Sequence, residues 1–266
     1  MFKYKAGFVG AGNMGGALAD ALCKKCGGEN IIISCKNTDK AKGIAEKFGC
    51  NYATADEVVI NSKFVFLGVK PQVVEEVASQ LKSSFEKNDD CIIVSMLAGV
   101  TTEKLKALFG EKKIIRIMPN TPVLVGEGMT LLCSNSLVSQ DDMEDFKDIM
   151  SMSGKLDVIA EELIDAGTAV SGCGPAFVYM FIDAFAKGGV NSGLTREQAL
   201  KYAAQTLIGS ANMIIETGIQ PDELKNNVCS PGGSTIEGVK SLENDNFKDS
   251  VIRAVEASYN KTKKLG

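Results

Sequence analysis

Ala6-Gly7-Phe8-Val9-Gly10-Ala11-Gly12-Asn13-Met14-Gly15 decides how the first half of this chain is read. An apolar run of strand length, Ala6–Gly10, passes directly into Gly-x-Gly-x-x-Gly, and a helix pattern, Met14–Lys25, follows at once. The hexapeptide alone is common; its strand, turn and helix context gives it meaning. Gly10 permits a tight turn, Gly12 lets the backbone approach a pyrophosphate, and Gly15 lets helix and strand pack closely. Ala11, Asn13 and Met14 complete a helix start whose N–H groups are free for that anion. Gly10 to Gly15 are therefore expected to bind a dinucleotide.

Outward from this motif, further short apolar runs occur at Asn30–Ser34, Lys63–Val69, Cys91–Ser95, Lys113–Ile117, Gly128–Cys133 and Lys155–Val158. Helix patterns lie between them at Asp39–Phe48, Glu57–Asn61, Gln72–Leu81, Thr102–Phe109 and Gln140–Met150. Several of the runs are apolar without interruption, as parallel strands covered on both faces are. The succession predicts an α/β, Rossmann-like doubly wound sheet over residues 1–160. From Glu161 onward no strand is expected. Helical spacing covers Pro175–Lys187, Thr195–Glu216, Thr235–Leu242 and Asn246–Lys263, with a capping box at Thr195-x-x-Gln198 and stops at Gly188-Gly189 and Gly218. Residues 161–266 are read as an all-helical domain. Its helices are apolar over so much of their surface that pairing with another copy is expected.

The bulk numbers exclude several functions. The chain has 266 residues, 29 Lys+Arg against 33 Asp+Glu, a net charge of −4, and no His. That balance carries no footprint for nucleic acid. Without imidazole there is no Ser-His-Asp or Cys-His nucleophile chemistry, no His-ligated metal, and no dehydrogenase step that moves a hydroxyl proton onto His. No metal is expected. No apolar stretch is read as approaching the ~18 residues that span a bilayer, and no leader is read at the start. A cytoplasmic protein without membrane contact is the expectation. The eight Cys are accordingly read as reduced thiols. Cys23-x-x-Cys26 falls in the last turn of the first helix, and Cys35, Cys50, Cys91 and Cys133 are read as small core residues.

The second strand ends Ile33-Ser34-Cys35-Lys36-Asn37-Thr38, without the acid that an NAD site places ~20 residues past its glycines. Ser34 and Lys36 stand where a 2′-phosphate would be hydrogen-bonded and charge-paired. NADP(H) is therefore the expected cofactor, with NAD(H) as the second choice. Val69-Lys70-Pro71-Gln72, the segment holding Ala98, and Met118-Pro119-Asn120 each follow a strand end, the edge at which open α/β sheets bind ligands. Val69, Lys70, Pro71, Ala98 and Asn120 are assigned to the cofactor wall.

In the helical half, Val228-Cys229-Ser230-Pro231-Gly232-Gly233-Ser234-Thr235-Ile236-Glu237-Gly238 joins a Pro- and Gly-rich turn to a capping box, Ser234-x-x-Glu237. Backbone N–H groups and hydroxyls gathered at a helix start make an anion nest. Beside a dinucleotide, the matching anion is a substrate carboxylate; an ordinary Gly-rich helix connection is the competing reading. Ser171-Gly172-Cys173-Gly174-Pro175 is read as a second loop, suited either to close helix packing or to the approach of a cofactor.

Together these motifs resemble the pyrroline-5-carboxylate reductase family across essentially the whole chain. The resemblance rests on Gly7 to Gly15, Val69-Lys70-Pro71-Gln72, Met118-Pro119-Asn120-Thr121-Pro122, Ser171 to Pro175, and the run from Pro221 to Glu243 around Ser230-Pro231-Gly232-Gly233. It implies reduction of 1-pyrroline-5-carboxylate to L-proline by hydride from NAD(P)H, the last step of proline biosynthesis. It also implies a helical domain that forms an interlocked homodimer, with dimers assembling into larger rings, commonly decamers. The implied site lies between the nicotinamide and the Ser230–Thr235 loop. Its amides (Gly232 and Gly233 among them), with Ser230 and Ser234, would hold the carboxylate of the cyclic imino acid. Thr235 would hydrogen-bond the ring nitrogen, Glu161 would lie near the substrate, and Asn227 near the cofactor. The chain departs from the family pattern at Cys173, usually Ser, at Gln220, often His, and at Ala55, commonly an Asn that contacts the cofactor.

Two other readings compete. A β-hydroxyacid dehydrogenase-like reductase is imitated by Lys187-Gly188-Gly189-Val190-Asn191, but its catalytic Lys follows the Gly-rich loop by about one helical turn, where this chain has Val178. A non-catalytic NADP-binding regulator would have no use for the open anion loop.

Overall fold

The computed structural model describes residues 2–264. The outermost residues of the two expected domains, Met1 and Leu265-Gly266, lie outside the described residues. The strands are β1 (Tyr4–Val9), β2 (Ile31–Ser34), β3 (Asn51–Tyr52), β4 (Ser62–Leu67), β5 (Ile92–Ser95), β6 (Lys113–Met118), β7 (Gly128–Ser134) and β8 (Gly154–Val158). They form one 8-stranded sheet in the order β3-β2-β1-β4-β5-β6-β7-β8. Pairing is parallel from β3 to β6, antiparallel between β6 and β7, and parallel again to β8. Strand order reverses between β1 and β4, the switch point at which such sheets bind ligands. Every expected strand is present. β3 was not anticipated, because two residues are too short to show alternation.

Helices α1 (Asn13–Cys26), α2 (Thr38–Phe48), α3 (Ala55–Asn61), α4 (Val74–Lys87), α5 (Thr102–Phe109) and α6 (Gln140–Met150) connect the strands. Successive strand residues point to opposite faces. Phe8, Phe64 and Phe66 enter one core with Leu18, Leu22 and Phe146, while Val9, Val65 and Leu67 enter the other with Val58, Leu81 and Phe85. This double burial explains the uninterrupted apolar runs. Phe8 and Phe66 stack with ring centroids 4.4 Å apart. Each such side chain contributes about 1.5–3 kcal/mol by leaving water. Buried Lys112 donates from Nζ to the Phe85 carbonyl at 2.8 Å and to the Asn88 and Asp89 carbonyls, closing the C-terminus of α4 with a cation. The cysteines are free. Burial pushes the thiol pKa of both Cys91 and Cys133 up to about 11, as expected for packing residues.

Gly174–Ala257 forms a second compact unit, with the rest of the described chain as the first. A helical run leads to it: α7 (Ile164–Gly167), a π turn at Thr168–Gly172, then α8 (Gly174–Asn191). The reading of Ser171–Pro175 as a loop is corrected here, because the wider π turn carries the helix through the glycines and Pro175. The expectation that no apolar stretch reaches membrane-spanning length is corrected too. Glu161–Asn191, 31 residues, is long and apolar enough by length and composition.

The second unit also holds α9 (Arg196–Thr217), α10 (Pro221–Asn227), α11 (Ser234–Asn244) and most of α12 (Phe247–Thr262). The capping box at Thr195 and Gln198 forms as expected. Gly188-Gly189 is not a stop. α8 continues to Asn191, and a Cβ on Gly189 would lie 3.3 Å from the Ala199 Cβ, so the glycine serves close packing of α8 on α9. α10 was not anticipated. The Phe181 ring packs at a tilt against Phe185 and Phe247, with centroids 5.7 and 5.9 Å away. Much apolar surface stays open in this unit: Met180 is 72% and Ile215 71% exposed. A cleft of about 640 Å³ is lined by Phe177, Val178, Met180, Phe181, Leu207 and Phe247.

Candidate active site

The glycine loop closes against the start of the next strand-end segment. Gly10 has φ +93°, its N–H donates to the Ser34 carbonyl at 3.0 Å, and Gly68 N–H donates to the Val9 carbonyl at 2.9 Å. A Cβ on Gly15 would fall 2.6 Å from the Gly10 carbonyl oxygen, so that glycine is required by packing. Gly12 differs. A Cβ there would meet nothing within 4 Å, and Gly12 caps α1 without any side-chain hydrogen bond. The first turn of α1 thus carries no side-chain cap and begins at exposed Gly12 and Asn13. An uncapped helix start of this kind can hold a diphosphate.

The remaining cofactor candidates in this unit follow the C-terminal ends of parallel strands: Lys36 after β2, Val69–Pro71 after β4, Ala98 after β5 and Asn120 after β6. Lys36 is exposed. Ser34 requires a correction: it is buried, and its hydroxyl donates to the Phe8 carbonyl at 3.2 Å instead of standing open at the strand end. Asn37 is taken up as the N-cap of α2. Asn120 is buried with its amide engaged on both sides, donating to the Ser171 carbonyl at 2.9 Å and accepting from Met129 N–H at 2.8 Å.

Glu161 stands in a polar cluster that sequence reasoning missed. Its carboxylate accepts from the Thr102 N–H at 2.8 Å, from the Thr102 hydroxyl, and from Arg116 Nη1 at 3.1 Å. Arg116, 2% exposed, also pairs through Nη2 with Asp165 at 3.4 Å, and its Nε has no partner among the described residues. Burial raises the Glu161 pKa. The hydrogen bonds from Thr102 and the Arg116 charge outweigh it and hold the carboxyl below its ordinary value. The carboxylate also complements the N-terminus of α5. One signal was available: a lone Arg inside Lys113-Ile114-Ile115-Arg116-Ile117-Met118 is a charge that a buried strand must pair.

In the second unit the Ser230–Thr235 segment is a compact turn. Gly233 N–H donates to the Ser230 carbonyl at 3.0 Å, and Gly232 has φ +72°, a conformation that favours glycine. The expected capping box does not form. Gly233, not Ser234, is the N-cap of α11, no side chain caps it, and Glu237 pairs with Lys240 at 2.8 Å. Shifting the cap by one residue puts Ser234 at the first helical position, where its hydroxyl no longer closes the turn. The first-turn N–H groups of α11 are left free, and Ser230, Ser234 and Thr235 are exposed around them. Asn227 is exposed at the end of α10.

The family described as pyrroline-5-carboxylate reductase dimerisation matches residues 161–265, and that described as NADP oxidoreductase, coenzyme F420-dependent, matches residues 5–99. The chain is 43% identical over 267 aligned residues to the pyrroline-5-carboxylate reductase of Escherichia coli K12, covering 98% of both chains. The chain belongs to the pyrroline-5-carboxylate reductase family. The enzyme of that name from Aquifex aeolicus is 41% identical, over 98% of this chain and 97% of its own. A solved Plasmodium falciparum pyrroline carboxylate reductase with NADP bound superposes with a TM-score of 0.88 at 36% identity, covering 100% of this chain and 99% of its own. Membership gives the two uncapped helix starts, α1 and α11, a common context within one family of reductases.

Proposed function

We propose that the chain reduces 1-pyrroline-5-carboxylate to L-proline with hydride from NADPH, the last step of proline biosynthesis. Full-length membership of the family carries this reading. The open cradle at Gly12 and the free N-terminus of α11 support it chemically.

The substrate is a five-membered cyclic imine bearing a carboxylate. Protonated, its C=N carbon is already electrophilic. NADPH, when bound, supplies the hydride to that carbon; the nitrogen keeps its proton and its lone pair is restored. The chain then needs to bind and orient more than to move protons, which suits a protein without His. Gly10 to Gly15 hold the diphosphate. Lys36 pairs the 2′-phosphate and sets the preference for NADPH over NADH. Val69, Lys70, Pro71, Ala98 and Asn227 line the cofactor. The amides of Gly232, Gly233 and Ser234, with the Ser230 and Ser234 hydroxyls, take the substrate carboxylate. Thr235 orients the ring nitrogen. Glu161, held by Thr102 and Arg116, keeps its ionised carboxylate on the substrate side. The functional division falls at 160/161. The helical part dimerises, dimers build decamers, and the enzyme works in the cytoplasm without membrane contact.

The testing experiment follows NADPH oxidation with the five-membered imine acid, with a keto acid and a hydroxy acid as controls. Turnover with the imine alone is expected; activity restricted to the keto or hydroxy acid would favour the dehydrogenase reading. Repeating it with NADH should give a higher Michaelis constant than NADPH.

A further inference from the structure

We propose that Asn120 is a positioning residue for this reduction: its side-chain amide stands in for a main-chain donor that Pro175 lacks, and so holds the turn Thr168–Gly172. In a helical run the carbonyl of residue 171 ordinarily accepts from the N–H of residue 175. Pro175 has no N–H. The Ser171 carbonyl accepts instead from Asn120 Nδ2 at 2.9 Å, while Asn120 Oδ1 accepts from Met129 N–H at 2.8 Å.

The neighbouring donors are already used within the helix. Cys173 N–H donates to the Thr168 carbonyl at 2.9 Å across the widened turn, Ser171 Oγ to the Gly167 carbonyl at 3.0 Å, and Thr168 Oγ1 to the Ile164 carbonyl at 2.6 Å. Among the described residues, Asn120 is thus the side-chain donor that reaches the turn from outside the helical run. π turns of this kind recur at functional sites, where they re-aim the chain. Asn120 follows β6, on the sheet edge that also carries Gly10, Val69 and Ala98, and residues 161–173 run along the chain into α8, the first helix of the second unit. A buried amide with both ends engaged fixes this backbone where the cofactor edge meets the helical run. It does not act as a free hydrogen-bonding group for the nicotinamide.

The inference rests on the reductase reading, and the experiment separates the two. Asn120→Ala, Pro175→Ala and the double variant are compared for kcat and KM with the imine acid, for NADPH Kd by fluorescence, and for Tm. Asn120→Ala is expected to lower kcat/KM for the imine by about tenfold while NADPH Kd stays within about twofold. Pro175→Ala restores a backbone donor for Ser171, and is expected to recover about threefold or more of that loss in the Asn120→Ala background but to give no gain in the wild type. The lost acceptor for Met129 is common to both Asn120→Ala proteins and cancels in the cycle. Equal effects of Pro175→Ala in both backgrounds, or NADPH binding that weakens in parallel with turnover, would overturn the proposal. Should Asn120→Ala fold poorly, Asn120→Ser carries the same cycle, read in Tm. Wild-type inactivity toward the imine would defeat the reductase reading, and the Tm coupling would still report whether the brace exists.

Discussion

Gly12 and Gly15 answer to different demands within one motif. Gly15 is needed because a Cβ would press on the Gly10 carbonyl at 2.6 Å; Gly12 has open space on that side. Gly15→Ala should therefore cost about 1–3 kcal/mol of stability as an overpacked site. Gly12→Val should leave Tm within about 2 °C, yet raise NADPH Kd by about tenfold or more, because the branched side chain enters the diphosphate cradle. Thermal melts beside cofactor titrations decide this; a Gly12→Val protein that binds NADPH normally would empty the cradle of its assigned role. Thr235 offers the complementary test in the second unit. Thr235→Ala should lower kcat/KM for the imine by about tenfold, the worth of one lost hydrogen bond to a reacting group, with NADPH Kd unchanged. Unimpaired turnover would remove Thr235 from the mechanism.

The β6 strand and the first turns of the helical run are joined by charge. Arg116 lies inside the sheet core and reaches Glu161 and Asp165, so Arg116→Met should cost about 2–3 kcal/mol, below the range for a fully buried pair because both carboxylates keep some water contact. The pH dependence has a definite sign. The Glu161 carboxyl is held below its ordinary value of 4.5 in the folded protein, so its contribution to stability is complete above that value and is lost as pH falls through the folded-state pKa. Asp142, paired with Lys113 and Lys63, and Asp145, paired with Lys5 and Lys63, are also depressed and act in the same direction. Tm measured from pH 7 to pH 3 should fall most steeply at the acid end. The wild-type advantage over Arg116→Met should shrink there as Glu161 is protonated. A pH-independent difference between the two proteins would show that the pair contributes through packing alone. At this scale the sequence was legible where one element suffices. The Thr195 capping box formed as read, whereas the Ser234 box did not, because the Gly232-Gly233 turn sets the N-cap one residue earlier.

Over the whole molecule, the first unit buries its apolar strands in two complete cores, and the second leaves large side chains uncovered on α8 and α9. A surface of that kind calls for a partner, and the family described as pyrroline-5-carboxylate reductase dimerisation matches this part of the chain. Met180→Lys, at a position 72% exposed in the single chain, should leave the first unit intact but convert the assembly to smaller species by light scattering. An unchanged mass would place the interface elsewhere. By itself the sequence determined the succession of strands and helices apart from β3, α10 and the helical course of Ser171–Pro175, together with the glycine turn and the change of texture near Glu161. Those features follow from local rules: period-two burial, helix spacing, and the steric freedom of glycine. Only the tertiary structure decided which polar side chains are consumed inside the protein. Ser34 bonds a residue 26 positions away, Glu161 is held from 45 and 59 positions away, and Asn120 reaches one 51 positions away. No local pattern encodes partners at such separations. They exist because the sheet brings its strand ends to one edge, and each buried polar group must then find its hydrogen bond there.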